Sequence, residues 1–309
     1  MAKIWEEYRG YRPCRWHVNN STRGCFSSIQ REGLENIPRD GAVLLAANHC
    51  ATLMDPLLVL DALSPRLVAF GARSDIFAKP RIAKILHWLR IVPIARERNG
   101  LSEVAKNFET FEDVIECVDR GVPFCLFPEG THRPERGMMP VKKGIFRLAK
   151  MTMEHLPGKK VYVVPIGLDY EYFFRGYGRV ALRVGAPIEI TEQFAREDIP
   201  EAQLYQDLCS ELQSRMLALI GRLPERSHKG LAWRIPLAVL SLPLFAVCAV
   251  GGLPIWLPYL LIMRKMKDKA WSHTVRFALH MFLPLFWIFQ IGFGRLLNFY
   301  RNIFEDLRS

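Results

Sequence analysis

Apolar residues fall in short blocks along the first two thirds of the chain and in long blocks at its end. Ala42 to Ala47 is a short apolar run behind the turn formers Asn36, Pro38, Asp40 and Gly41, a pattern that predicts a buried strand. Leu67 to Ala72, Ile91 to Ala95, Pro123 to Phe127, Val161 to Leu168 and Val180 to Val184 predict further strands. A helical stretch begins at about Asp55. A second, with helical periodicity, runs from Leu101 to Asp119 and ends at Gly121, and a third covers Lys143 to Met153. A polar helix from about Glu201 to Ile220 closes this part. Short strands alternating with helices predict an α/β layer domain.

The pattern then changes. Ile235 to Met263 carries no charged side chain for about 29 residues, against the ~20 that one helical membrane span requires. The run contains Pro236, Pro243, Pro254 and Pro258, with Gly251-Gly252 near its middle, and the basic stretch Arg264 to Lys269 follows it. A second apolar run lies between Arg276 and Arg295, interrupted by His280 and Gln290. After a complete α/β pattern, two such runs have few partners to bury them, so a C-terminal membrane-embedded helical segment is expected. The predicted organisation is an amphipathic lead-in over 1–26, an α/β domain over 27–228 and the helical tail over 229–309. No internal repeat or low-complexity tract is visible.

Composition agrees with a globule joined to a membrane piece: 50% of residues are hydrophobic and 24% are charged. The net charge of +11 suits anionic headgroups, phosphorylated small molecules or nucleic acid. No zinc-finger spacing or aromatic-basic RNA-binding signature is present, so nucleic acid is the weaker partner. The seven cysteines are odd in number and none has C-x-x-C spacing, which argues against a structural zinc site or a disulfide framework and fits a reducing compartment. Met1 to Arg15 is polar and lacks the apolar run of a secretory signal.

Four segments carry candidate chemistry. Asn48-His49 ends a predicted strand and Asp55 lies six positions on. A strand end is where an open α/β sheet presents its site. His is suited to general-base work near neutral pH, and an Asp on its other ring nitrogen would fix the tautomer. By themselves these residues also fit a surface His at a helix start with an Asp complementing the dipole. Phe127 to Gly137, "FPEGTHRPERG", follows another strand. There Glu129-Gly130-Thr131 can turn with backbone N–H groups aligned, and His132, Arg133, Arg136, Lys142 and Lys143 add positive charge for a phosphate or carboxylate. A solvated basic loop fits the same residues. "IVPIARERNG", with Arg96 and Arg98, and "VVPIGLDY", with Pro165, say little alone.

In this order, the four segments resemble the glycerolipid acyltransferase family over roughly residues 30–190, as do "GLENIP" before the strand and "PVKKG" after the Glu loop. The resemblance implies a mixed sheet flanked by helices. It also implies transfer of a fatty acyl group from acyl-CoA or acyl carrier protein to a hydroxyl of glycerol-3-phosphate or 1-acyl-glycerol-3-phosphate. His49 would be the catalytic base and Asp55 its orienting partner. Arg96 would hold acceptor phosphate, Glu129 and Gly130 would shape the acceptor pocket with Thr131, Arg133 and Lys142 on its phosphate side, and Pro165 would belong to the acyl-donor side. The resemblance implies no metal and no cofactor, the thioester being a substrate. The partners are membrane lipids and the glycerol-phosphate acceptor rather than nucleic acid, and no oligomeric state follows. Location at a membrane is implied, with the catalytic domain on the cytoplasmic face, where acyl thioesters are available.

This sequence departs from the pattern twice. Most members separate His and Asp by four residues, whereas Cys50 to Met54 makes five. On a helix one residue rotates a side chain by about 100°, so a His–Asp contact requires a wide turn or bulge. The longer spacing and the basic Lys265 to Asp268 resemble a subgroup with fungal glycerol-3-phosphate/dihydroxyacetone-phosphate acyltransferases. Many members also have Arg directly after E-G-T, where this chain has His132 and only then Arg133.

Several readings stay open. Cys50 invites a covalent mechanism, although adjacent residues rarely aim at one atom and a filler role suits it better. A CoA-independent lysophospholipid transacylase would use the same residues. A non-catalytic lipid-binding protein would have no need of both His49 and Asp55. The tail read as two spans, about 236–260 and 276–296, puts its basic loop opposite the catalytic domain, against the positive-inside rule. As one helix the first run would measure ~44 Å, against a ~30 Å hydrocarbon core. The favoured expectation is a re-entrant or shallow hairpin turning at Gly251-Gly252 and Pro254, with Lys265 and Lys267 on the active-site side.

Overall fold

A strand that is apolar and buried at every position occupies the middle of the sheet. In the computed structural model, which describes residues 3–94, 107–196, 199–224 and 231–308, strand β2 (Ala42–Ala47) is buried at every position. It pairs in parallel with β5 (Phe124–Leu126) on one side and β6 (Val161–Tyr170) on the other. A strand covered on both faces needs no polar alternation. Val43, Leu45 and Ala47 enter one core layer, and Ala42, Leu44 and Ala46 enter the other.

The sheet has eight strands in the order β1-β7-β6-β2-β5-β3-β4, with β8 also paired to β6. β1 is Ser28–Glu32, β3 Ala69–Arg73, β4 Ile91–Ile94, β7 Arg179–Val184 and β8 Ile188–Glu189. β6 runs antiparallel to β7 and β8, and every other pairing is parallel, so the sheet is mixed. The sequence pattern missed β1 and β8. β1 is polar and mostly exposed at the sheet edge, and β8 has two residues, so neither carries an apolar signal. β6 extends two residues beyond its predicted end at Leu168, which brings Tyr170 into the sheet.

Helices cover both faces. α1 (Tyr11–Arg23) lies against α2 (Met54–Ala62) on the side of Val43 and Leu45. α3 (Pro80–Trp88) joins β3 to β4. α4 (Asn107–Asp119), α5 (Gly144–His155), the short α6 (Ile190–Phe194) and α7 (Glu201–Leu217) complete the α/β part. α4, α5 and α7 supply the opposite layer, with Val114, Phe146 and Leu208 in its core. α2 starts at Met54, one residue before the predicted Asp55, while the predicted start of α4 lies outside the described residues.

The two long apolar runs are not two straight helices. They form α8 (Leu231–Leu240), α9 (Leu242–Gly251), α10 (Leu253–Lys265), α11 (Ser272–Phe282) and α12 (Trp287–Asp306). Pro243 and Pro254 sit in the first turns of α9 and α10, where the missing N–H is harmless and the ring stops the preceding helix from continuing. Among the described residues no single helix is long and apolar enough to cross a membrane. Two consecutive pairs would be so in length and composition, but they bend by 52° and 103° at their breaks. The tail docks on the loop before β7. Asn298 Nδ2 donates to the carbonyls of Gly176 and Tyr177 at 3.0 and 2.9 Å. A Cβ at Gly294 would stand 2.0 Å from the Tyr177 ring, so only glycine permits that approach.

Candidate active site

Asn48 fixes the end of β2. Its side chain copies a peptide group, with Oδ1 accepting the Leu168 N–H at 2.6 Å and Nδ2 donating to the Leu168 carbonyl at 3.0 Å. The strand pairing thus continues one step through a side chain, and the backbone is free to turn at His49. Both main-chain polar groups of His49 are then held by the loop after β5. Its N–H donates to Glu129 Oε1 at 2.8 Å, and its carbonyl accepts the Arg133 N–H at 3.0 Å.

The five residues between His49 and Asp55 form a wide turn, with Thr52 at φ 49°. That turn restores the contact which the spacing put in question: His49 Nδ1 lies 2.7 Å from Asp55 Oδ2. The same oxygen accepts the N–H groups of Cys50 and Ala51 at 2.9 and 2.8 Å, and Oδ1 accepts the Tyr170 hydroxyl at 2.6 Å. Asp55 is fully buried. A buried carboxylate requires such a set of donors, and its place in the first turn of α2 adds the helix dipole. Burial, followed by the charge of Asp55, pushes the Tyr170 phenol well above its ordinary value, so it remains a donor. With Nδ1–H committed to Asp55, His49 presents Nε2 as an acceptor. Its ring stacks on Phe127 at 4.4 Å and meets His132 edge-on at 5.8 Å.

Glu129 is buried and accepts from two backbone donors, the N–H of His49 and that of Met139, the latter at 2.6 Å. Burial nevertheless raises its carboxyl above the usual value. Gly130 turns the chain at φ 68°, and a Cβ there would stand 3.0 Å from Lys142 Nζ, so the lysine cation lies over the Glu129-Gly130-Thr131 turn. Thr131 is exposed in that turn. The Arg133 guanidinium pairs with Glu135 at 2.6 Å, and a phosphate contact would require it to leave that carboxylate. The Cys50 thiol is buried and accepts from Asn48 Nδ2. Burial and the neighbouring Asp55 push it well up, which suits filler rather than nucleophile.

His49, Asp55, Glu129, Gly130, Thr131, Arg133 and Lys142 therefore come together. Pro165 does not share their face. It pairs with Ala46 in the middle of the sheet, and by strand alternation its ring lies on the side opposite Ile166, Leu168 and Tyr170. Arg96 and Arg98 lie outside the described residues. Among the described residues no group of three His, Cys, Asp or Glu side chains could hold a metal ion. The sequence reading missed Tyr170, whose signal was its even spacing from Ile166 and Leu168. It also missed that His132 bonds Asp268 of the tail, Nε2 to Oδ2 at 3.1 Å, a pairing across 136 positions with no local signal.

Residues 28–169 match the family model described as Acyltransferase. The chain is 28% identical over 186 residues to 1-acyl-sn-glycerol-3-phosphate acyltransferase alpha of Mus musculus, covering 56% of this chain and 58% of that protein. It is 29% identical over 119 residues to glycerol-3-phosphate O-acyltransferase 2 of Saccharomyces cerevisiae, covering 38% of this chain and 15% of that protein. Among solved structures, the 1-acyl-sn-glycerophosphate acyltransferase of Thermotoga maritima aligns over 71% of this chain and 86% of that one, with a TM-score of 0.49 and 23% identity. The match thus spans little more than half the length of the mouse relative.

Proposed function

We propose, on the premise that residues 28–169 are a domain of the acyltransferase family, that this chain moves a fatty acyl group from a thioester onto a hydroxyl of a glycerol-phosphate lipid precursor. The observation that carries the reading is the relay from Tyr170 through Asp55 to His49, which leaves Nε2 as the available base. Nε2 takes the proton of the acceptor hydroxyl, whose oxygen attacks the thioester carbonyl. The C–S bond breaks, and the departing thiolate recovers the proton from His49. The donor is acyl-CoA or acyl carrier protein. Lys142 over the Gly130 turn, with Arg96 from the preceding motif, gives the acceptor phosphate its cations. The name of the mouse relative favours 1-acyl-glycerol-3-phosphate as acceptor over glycerol-3-phosphate.

The tail is read as the membrane attachment, a shallow or re-entrant assembly with the catalytic domain on the cytoplasmic face. Trp233, Leu240, Phe282, Leu285 and Ile288 are each more than 60% exposed, an apolar surface that a lipid interior would cover. The bends between its helices fit a hairpin as they fit broken spans, and the contact of Asp268 with His132 supports Lys265 and Lys267 on the active-site side. The deciding experiment offers the detergent-purified chain labelled acyl-CoA or acyl carrier protein with each acceptor. Product from the monoacylated acceptor alone fixes the reading, and no thioester-dependent product with either acceptor refutes it.

A further inference from the structure

We propose that residues 268–274 of the tail are a positioning element of the catalytic centre, with Asp268 and Thr274 as positioning residues for His49. The proposal rests on the acyl-transfer reading given above. Three side chains of this short segment reach three groups that surround the His49–Asp55 pair. Thr274 Oγ1 hydrogen-bonds Thr52 Oγ1 at 2.7 Å, and Thr52 lies within the wide turn between His49 and Asp55. His273 is buried beside Tyr170, ring centroids 5.8 Å apart, and Tyr170 is the phenol that donates to Asp55. Asp268 holds His132, whose ring edge meets His49.

Each tie has a physical purpose. A β-branched residue resists positive φ, so the turn at Thr52 needs support from outside itself. That support comes from Thr274, 222 positions away in sequence. The carboxylate of Asp268 is itself fixed, since Oδ1 accepts the Ala270 N–H at 2.9 Å. His273 is held by the Tyr172 carbonyl at 3.0 Å. The tail is also held at a second place, where Asn298 and Gly294 grip the 176–177 loop. The extra residue between His49 and Asp55 therefore has a counterpart in the tail. It lengthens the turn, and the tail takes hold of the lengthened turn.

The test uses the full chain in detergent micelles, with kcat and both KM values measured alongside the His49 Nδ1–H proton resonance, assigned by its loss in His49→Ala. Thr274→Val should lower kcat roughly 10-fold, leave KM for the thioester unchanged, and shift or broaden that resonance, while Thr274→Ser restores both. Asp268→Asn should move kcat and the resonance in the same direction, and it decides the matter if Thr274→Val does not fold. Asn298→Ala, which loosens the tail away from His49, should keep both. Wild-type kcat and an unmoved resonance in Thr274→Val and Asp268→Asn would overturn the proposal, as would an equal loss in Asn298→Ala. If the wild-type chain transfers no acyl group, the functional reading fails, while the resonance still decides the positioning.

Discussion

His49 is the base of the proposed mechanism, and its neighbours divide into those that hold the ring and those that hold the backbone. Asp55 and Tyr170 do the first, Glu129 and Arg133 the second. His49→Ala should cut acyl transfer by about 10²-fold or more with an unchanged circular-dichroism spectrum, and near-normal turnover in the folded variant would sink the mechanism. Tyr170→Phe leaves Asp55 Oδ1 buried without its donor, which should cost about 1–3 kcal/mol in chemical denaturation and loosen the His49–Asp55 pair enough to lower kcat. Glu129 gives a pH-dependent effect. Burial raises its folded-state value above the ordinary 4.5, so its contribution to stability is fully present below that value and is lost as pH rises through the shifted one. Glu129→Gln removes this titration. The drop in denaturation midpoint between about pH 4 and 7 should be smaller in the variant than in the wild type, and an equal drop would contradict the assignment.

At the scale of elements, the turns that aim the strands were partly visible as glycines, but their costs are not equal. Gly33 precedes the turn after β1 at φ 73°, and a Cβ there would stand 2.2 Å from the Val184 carbonyl oxygen. Gly121 closes α4 at φ 80° with nothing within 4 Å of a Cβ. Gly121→Ala should therefore lose only the conformational term, about 1–2 kcal/mol. Gly33→Ala must also move the backbone of β1 or β7 and should lose clearly more. Thermal melts of the two variants compare the costs directly, and equal shifts would mean that the β1–β7 edge yields freely. β2, β6 and β7 were legible because they are buried and apolar. β1 was not, since an edge strand shows polar residues to water.

For the whole molecule the question is how the tail meets the α/β domain and, in the proposed arrangement, lipid. Position 267 adjoins Asp268, which touches His132 in the active-site loop. A Lys267→Cys variant tests the arrangement once Cys14 and Cys209 are replaced by Ser, because the other five cysteines are buried. In sealed vesicles with the catalytic domain outward, a membrane-impermeant thiol reagent should label it from that side. Labelling only after permeabilisation would restore two full spans. Deleting residues 231–309 should release the enzyme from membranes and reduce its stability, since Phe26, Tyr170 and Tyr177 lose partners in α11.

The sequence by itself determined the alternation of strands and helices and the change of character at the tail, and it marked His49, Asp55 and the Glu129 loop as candidates. Each is a local pattern, set by periodicity, turn chemistry or a short motif, and such patterns survive without knowledge of what lies across the fold. Tertiary structure alone decided that Asn48 completes the sheet, that Tyr170 donates to Asp55 and that Pro165 faces the other layer. It alone brought Thr274 to Thr52, His273 to Tyr170 and Asp268 to His132. Those contacts join residues far apart in the chain, by 222 positions for Thr274 and Thr52 and 136 for Asp268 and His132, and their geometry depends on where whole elements pack. No window of sequence contains both partners, so no local pattern could announce them.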